Sequence, residues 1–203
     1  MNPLLSNLVQ SMPRIDVHSF YADCLQRYGD TAEGLHFQSA KTQLDRFRVL
    51  RECLPEQLSE LTLVDVGCGF GDLLRYLEEH GEAPGRYIGI DMHERMVATA
   101  RERTGAEILL RDALHDPLPE ADYYLCSGGM NTLTLEETRL FIERCYGASR
   151  RGYVFNILRG ADASEIFNYR QPEEIAAWAE ELGDDCRIVD GYMYQDFTVA
   201  LTR

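Results

Sequence analysis

Short apolar runs alternate with stretches of helical period along most of this chain. The run at 62–66 (TLVDV) is β-rich and ends in a glycine cluster. Leu73, Leu74 and Leu77 then share one helical face within 70–80, and Gly81 ends that pattern. A strand is predicted at 86–90. A helix follows at 93–103, with Met96, Val97 and Ala100 on its apolar face. Further strands are predicted at 106–110 and 122–126. Thr134 and Glu137 have the spacing of a capping box, so a helix opens there and runs to about Tyr146. A fifth strand is predicted at 152–158. This alternation implies right-handed βαβ crossovers, hence a parallel sheet covered on both faces.

The two ends of the chain depart from the pattern. Pro172 suits the first turn of a helix over 172–182, and Gly183 stops it. Strands predicted at 186–190 and 194–201 have only three residues between them, which requires an antiparallel hairpin. Before the sheet, Ala40, Leu44, Phe47, Leu50 and Leu54 recur at spacings of 4, 3, 3 and 4, predicting one apolar helix face with Ser39 as N-cap. An earlier helix is expected over 17–28, with a loop at 29–39 between the two.

Composition narrows the classes. The chain has 203 residues, 45% hydrophobic, which suits one core and one domain. Lys plus Arg is 20 and Asp plus Glu is 34, a net charge of −14. Such a surface repels phosphate backbones and anionic lipid, so neither nucleic acid nor a membrane is an expected partner. Cys24, Cys53, Cys68, Cys126, Cys145 and Cys186 form no CxxC and have no histidine at zinc-ligand spacing. They read as small core residues with reduced thiols, and no metal is expected. The first 14 residues lack the basic start and apolar run of a signal peptide, and no apolar stretch approaches the roughly 20 residues that span a bilayer. A cytoplasmic protein, monomeric or homodimeric, is the expectation.

The strongest chemical signal is Val64-Asp65-Val66-Gly67-Cys68-Gly69-Phe70-Gly71, where the first strand turns into the first helix of the sheet. Glycines there allow a tight turn and close approach of a ligand, and the helix presents free N–H groups. Asp91 ends the next strand, 20 residues beyond Gly71. A carboxylate at that place accepts the hydroxyls of an adenosine ribose. The spacing is G-x-G-x-G, not the dinucleotide fingerprint G-x-G-x-x-G. Asp65 would repel a pyrophosphate and suits a ligand with a cationic part, such as S-adenosylmethionine (SAM).

At these residues the chain resembles the class I SAM-dependent methyltransferases. VDVGCGFGDL is similar to their first signature and YIGIDMHERMV to their second. Arg111-Asp112-Ala113 resembles the third and ADYYLCSGGMN the fourth. The resemblance covers roughly 60–202. It implies a Rossmann-like, doubly wound, seven-stranded α/β sheet, mostly parallel with an antiparallel last strand, and a helical N-terminal extension. One domain is implied, with 1–60 as a helical cap and 61–203 as the SAM-binding core. It further implies that Gly67, Cys68, Gly69 and Gly71 wrap the methionyl part of SAM, with Asp65 near its ammonium. Asp91 would bind the ribose, Met92 the adenine face, and Asp112 and the Ala113 N–H the adenine edge. Ser127 and Gly128 would lie beneath the sulfonium.

The acceptor is less legible. Ser127-Gly128-Gly129-Met130-Asn131 lacks the N/D-P-P-Y/F of enzymes that methylate DNA bases or glutamine amides. Asn131 remains a candidate for orienting the acceptor. The stretch from His36 to Arg46 resembles a segment, HW/F-x-S…Q-x-x-RF, of small bacterial methyltransferases. Arg46 is a candidate for the SAM carboxylate, since a guanidinium forks onto it. His36 is a candidate base, and Tyr21 and Tyr169 are candidate pocket residues. The expected activity is methyl transfer to a small or medium-sized acceptor, releasing S-adenosylhomocysteine. The rivals are a nicotinamide oxidoreductase, a non-catalytic SAM-binding regulatory module, and a methyltransferase acting on a protein or RNA.

Overall fold

The computed structural model describes residues 15–160, 164–182 and 185–203. The first 14 residues and Gly183 lie outside that range. Helices α1 (Val17–Tyr28) and α2 (Ala40–Glu52) precede the sheet. Then follow β1 (Thr62–Val66), α3 (Asp72–Glu79), β2 (Arg86–Asp91), α4 (Glu94–Thr104), β3 (Glu107–Leu110), β4 (Ala121–Ser127), α5 (Leu135–Ala148) and β5 (Ser149–Arg159). The chain ends with β6 (Tyr169–Arg170), α6 (Pro172–Leu182), β7 (Asp185–Val189) and β8 (Asp196–Thr202).

The strand order is β3-β2-β1-β4-β5-β8-β7. β1 to β5 run parallel, and β8 is antiparallel to both β5 and β7. That is the mostly parallel, doubly wound sheet with an antiparallel end expected from sequence. Two details differ. The two-residue β6 pairs with β5 and brings the sheet to eight strands. So short a pairing has no alternation to read. The β7–β8 connection spans 190–195, longer than the predicted three residues, because β8 starts only at Asp196.

Strand side chains alternate between two cores, as the pleat requires. Val64 and Val66 of β1 and Tyr124 and Cys126 of β4 pack with α5 and α6. Leu63 and Leu125 face the other way, against Phe47 and Leu50 of α2 and Leu73 and Leu77 of α3. α4 covers β2 and β3 through Val97 and Ala100. Asp65 shares the face of Leu63, between Val64 and Val66, so a carboxyl stands on a strand in the sheet's centre.

Local signals act as read at several ends. The Ser39 and Thr134 side chains accept from the N3 amides of α2 and α5, each in a capping box. The face of α2 is rotated from the prediction. Leu44 is 47% exposed and Ala40 is exposed, whereas Gln43 and Arg46 are buried. Apolar spacing located the lower half of the face, Phe47 and Leu50, but buried ion pairing turns Arg46 inward in its upper half.

The order of strands reverses between β1 and β4. β2 and β3 lie to one side of β1, while β4 and β5 lie to the other. The crevice outside the carboxyl ends at this reversal is where open α/β sheets bind ligands.

Candidate functional site

The loop after β1 is pinned to β2. The Gly67 and Cys68 N–H groups both donate to the Ile90 carbonyl, at 2.8 and 3.0 Å. Gly67 and Gly69 have φ of +76° and +54°, which disfavours a side chain. A Cβ on Gly69 would stand 2.9 Å from the Leu35 side chain, so the loop before α2 presses directly on the glycine turn. Cys68 gives its backbone to this turn. Its thiol packs against β2 at Gly89, and burial pushes that thiol well above its ordinary pKa.

Two carboxyls meet behind the loop. Asp91 accepts from the Gly69 N–H through Oδ2 and from the His93 N–H through Oδ1, each at 2.9 Å. Each oxygen keeps a lone-pair direction for a further donor. Burial raises its pKa to about 6, against the opposing pull of those amides. Asp65 accepts from the Tyr87 hydroxyl at 2.6 Å. Burial raises it to about 7 despite that bond, and the charges of Asp91 and Asp72 add to the rise. The turn therefore carries an acidic field that a cationic ligand would relieve.

Farther along the sheet edge, Met92, Asp112 and Ala113 line the same cleft. Asp112 Oδ1 accepts from the Leu114 N–H at 2.8 Å, and Oδ2 lies 2.7 Å from His115 Nδ1.

The turn after β4 closes the other side. Ser127, Gly128 and Asn131 line the cleft. Ser127 Oγ and Asn131 Oδ1 are buried with no protein partner. An unmet polar atom of this kind costs about 1–3 kcal/mol, a cost that a ligand group can remove. Arg46 reaches this turn from α2. Its Nε donates to Asp196 Oδ2 at 2.5 Å, its Nη2 contacts the same oxygen, and its guanidinium lies over the Phe37 ring. A Cβ on Gly128 would stand 3.3 Å from Arg46 Nη1 and 3.2 Å from Asn131 Nδ2.

The segment before the sheet forms the outer wall. Val17, His18, Phe20 and Tyr21 of α1 line the cleft, as do Leu35, His36 and Phe37. Asp30 holds this segment to α4: Arg95 pairs with its Oδ1 at 2.7 Å, and Arg103 donates to its carbonyl at 2.7 Å. His36 has φ +66° and closes a helical turn, with Phe37 N–H on the Ala32 carbonyl and His36 N–H on the Glu33 carbonyl. Glycine usually takes that place. The His36 ring stacks on Phe20 with centroids 4.7 Å apart, and Phe167 meets both edge-on.

Sequence reading thus gathered most of one cleft: Asp65, Gly67, Cys68, Gly69, Asp91, Met92, Asp112, Ala113, Ser127, Gly128, Asn131, Arg46, His36 and Tyr21 all line it. Two candidates fall elsewhere. Gly71 caps α3 with φ +78°, and a Cβ there would stand 2.6 Å from the Thr104 side chain, so it serves the packing of α3 on α4. Tyr169 lies in β6 against Gly160 instead of the cleft. Gln43 belongs to the Q-x-x-RF stretch singled out in the sequence, whereas Phe167, Tyr192 and Asp196 were missed. Gln43 Nε2 donates to Asp72 at 3.2 Å, and Tyr192 donates to Asp196 Oδ1 at 2.8 Å. Phe167, Tyr192 and Asp196 carry no signal within their own stretch of sequence.

Residues 63–152 match a family model described as a methyltransferase domain. That span is under half of the 203-residue chain, and over it the chain is similar to methyltransferases. A Mycobacterium tuberculosis protein carrying a methyltransferase name, Rv1506c, is 32% identical over 114 residues. The match covers 50% of this chain and 66% of that relative, just under two thirds of its length. The fold is similar to magnesium protoporphyrin IX methyltransferase from Synechocystis PCC 6803 with bound S-adenosylhomocysteine, at a TM-score of 0.68 and 15% identity, covering 92% of this chain and 95% of that one. It is also similar to the DhpI–SAM–HEP complex, at a TM-score of 0.69 and 16% identity over 90% and 94%. Among the described residues, no helix is long and apolar enough to cross a membrane, and no cluster of metal-ligating side chains occurs.

Proposed function

We propose that the cleft binds SAM and that the chain transfers its methyl group to a small or medium-sized acceptor. The observation that carries this is the bond from Gly69 N–H to Asp91 Oδ2 at the reversal point of the sheet. It joins the glycine turn to a carboxylate that keeps free lone pairs on both oxygens. In this reading Gly67, Cys68 and Gly69 follow the methionyl part, and Asp65 answers its ammonium. Arg46 turns Nη1 toward the carboxylate. Asp91 takes the ribose hydroxyls, Met92 covers the adenine, and Asp112 with the Ala113 N–H meets its edge.

When bound, SAM supplies a methyl carbon on a sulfonium, already a good leaving group. The protein's part is to align the reactants and exclude water. Ser127 and Gly128 form the floor, Asn131 orients the acceptor, and His36 stands at the rim. The segment before the sheet acts as a cap. The relative named for magnesium protoporphyrin IX acts on a small molecule, which agrees with a small acceptor here. The reading is tested by melting the protein with SAM, S-adenosylhomocysteine or NAD. At a hundredfold excess over the dissociation constant, a ligand of the native state stabilises by about 2.7 kcal/mol. SAM and its product should raise Tm and NAD should not. A rise with NAD alone overturns the proposal.

A further inference from the structure

The two halves of the cleft differ in chemistry. The β2–β3 half carries Asp91 and Asp112. The β4 half is walled by rings. Two independent links place those rings at the turn after β4. Asn168 N–H donates to the Asn131 carbonyl at 2.7 Å, and its side chain bonds Thr138 Oγ1, which fixes the neighbouring Phe167 beside Asn131. On the other side, Phe37 lies under Arg46, whose Nη1 abuts Gly128.

Phe20, Phe37 and Phe167 are all half-buried, so ring surface stays open toward the cleft. The stacked Phe20–His36 pair and the edge-on Phe167 form a wall with flat faces. Among the described residues lining the cleft, the only arginines are Arg46, paired with Asp196, and Arg111, which donates to the Pro117 carbonyl. With Arg46 shared between Asp196 and the SAM carboxylate, this half offers no further guanidinium or ammonium for a phosphate or carboxylate on the acceptor. It does offer Ser127 Oγ and Asn131 Oδ1, both buried and without a partner.

From this we infer that the methyl acceptor is a planar aromatic molecule without an anionic group, carrying an O–H or N–H that points at Ser127 and Asn131. The inference rests on the methyltransferase reading above. Its ring stacks within the Phe20–Phe37–Phe167 wall, an arrangement that aromatic pairs favour beyond simple burial. For an O–H acceptor, an oxygen lone pair forms the new bond to the methyl carbon. The carbon–sulfur bond breaks with its electrons going to sulfur, and the acceptor proton passes to the His36 imidazole. His36 is exposed at the rim and can hand that proton to water.

The test uses 2-naphthol and decahydro-2-naphthol, which share a hydroxyl and a two-ring skeleton but differ in aromaticity. Each is titrated into the protein saturated with S-adenosylhomocysteine, and each is incubated with methyl-labelled SAM. 2-Naphthol should bind about tenfold more tightly, the scale of one or two aromatic contacts, and become labelled on oxygen. Phe167→Leu should erase that preference while SAM affinity stays within about threefold, a change of under 1 kcal/mol. Equal affinity for the two alcohols, or binding of neither while SAM binds normally, overturns the inference. Failure of SAM itself to bind instead removes the reading beneath it, and calorimetry with SAM alone separates the two cases.

Discussion

Arg46 and Asp196 lie 150 residues apart in sequence and form an ion pair with Asp196 wholly buried. The pair joins α2 to the start of β8 and fixes the guanidinium over the turn after β4. Tyr192 donates to the other Asp196 oxygen and also meets Thr198 at 2.9 Å. Burial raises the Asp196 pKa, and Arg46 opposes the rise. Removing one partner of such a pair leaves a lone buried charge and costs about 3–5 kcal/mol. Asp196→Ala should therefore lower stability by that order in urea unfolding. Arg46→Lys keeps the charge but loses the planar fork. It should unfold less readily than Arg46→Ala yet bind SAM about tenfold more weakly, as expected for losing one charge-assisted bond. Unchanged SAM affinity in Arg46→Lys would leave Arg46 a purely structural role.

Asp65 and Asp91 predict a pH dependence. Both pKa values are raised in the folded protein, to about 7 and about 6. Their contribution to stability is fully present below the unfolded value of 3.8 and is lost as pH rises through about 6 to 7. Asp65→Asn should thus raise the Tm of the free protein at pH 8 and change it little at pH 4. Binding of a cationic cofactor should favour the ionised carboxyls and release protons near pH 6. Calorimetry in two buffers of different ionisation enthalpy reads that release directly. Identical heats in the two buffers would contradict the placement of SAM beside these acids.

The glycines of the loop should separate by role. Gly71→Ala forces a Cβ at φ +78° to within 2.6 Å of the Thr104 side chain, away from the cleft. It should lower stability by about 1–2 kcal/mol, the usual cost of left-handed backbone for a side chain, with SAM affinity nearly kept. Gly69→Ala meets Leu35 at 2.9 Å and should lower both. If Gly71→Ala instead abolishes SAM binding in a protein that stays folded, Gly71 belongs to the ligand site after all.

What could be read in advance depended on the range of the signal. β1 to β5 and their helices follow from local periodicity, and the Ser39 and Thr134 caps from spacing within one turn. Asp91 was legible because its partner loop lies one βαβ unit away, at a recurring distance. Asp196 was not, because nothing local distinguishes it from other acids and its meaning comes from Arg46 across the sheet. Phe167 was missed for the same reason, since it sits in an irregular stretch without period. Leu44 misled because apolar spacing assigns a face without knowing that a buried ion pair rotates the helix.

His36 predicts a conflict between stability and activity. Its φ of +66° suits glycine at the end of the turn it closes. Relief of about 1–2 kcal/mol of left-handed strain offsets the roughly 0.5–1 kcal/mol of chain entropy that a glycine adds. His36→Gly should therefore melt no lower than the parent protein. If the imidazole accepts the acceptor's proton, methyl transfer to an O–H acceptor should fall by about tenfold or more. A variant as active as the parent would assign His36 to the aromatic wall alone.

The segment from α1 to the start of α2 should respond to cofactor. It lines the cleft through Phe20, Tyr21, His36 and Phe37, and Leu35 presses on Gly69 of the glycine turn. Beside a small apolar cluster of Leu25, Tyr21 and Leu35 against Phe70 and Met96, it is held near this loop by part-exposed polar contacts of Asp30 with Arg95 and Arg103. Such contacts are each worth about 1 kcal/mol or less and compete with water. Local opening of this segment should then cost far less than global unfolding. A cofactor lying between the segment and the strand ends adds contacts that exist only in the closed form, so it must shift the balance toward closure. Amide hydrogen exchange at 31–40 should therefore slow in saturating SAM or S-adenosylhomocysteine, while exchange in β7, far across the sheet, stays constant. Asp30→Ala should speed exchange at 31–40 and weaken SAM binding without unfolding the sheet. Exchange in this loop that ignores saturating cofactor would make the segment a fixed wall and not a cap that closes.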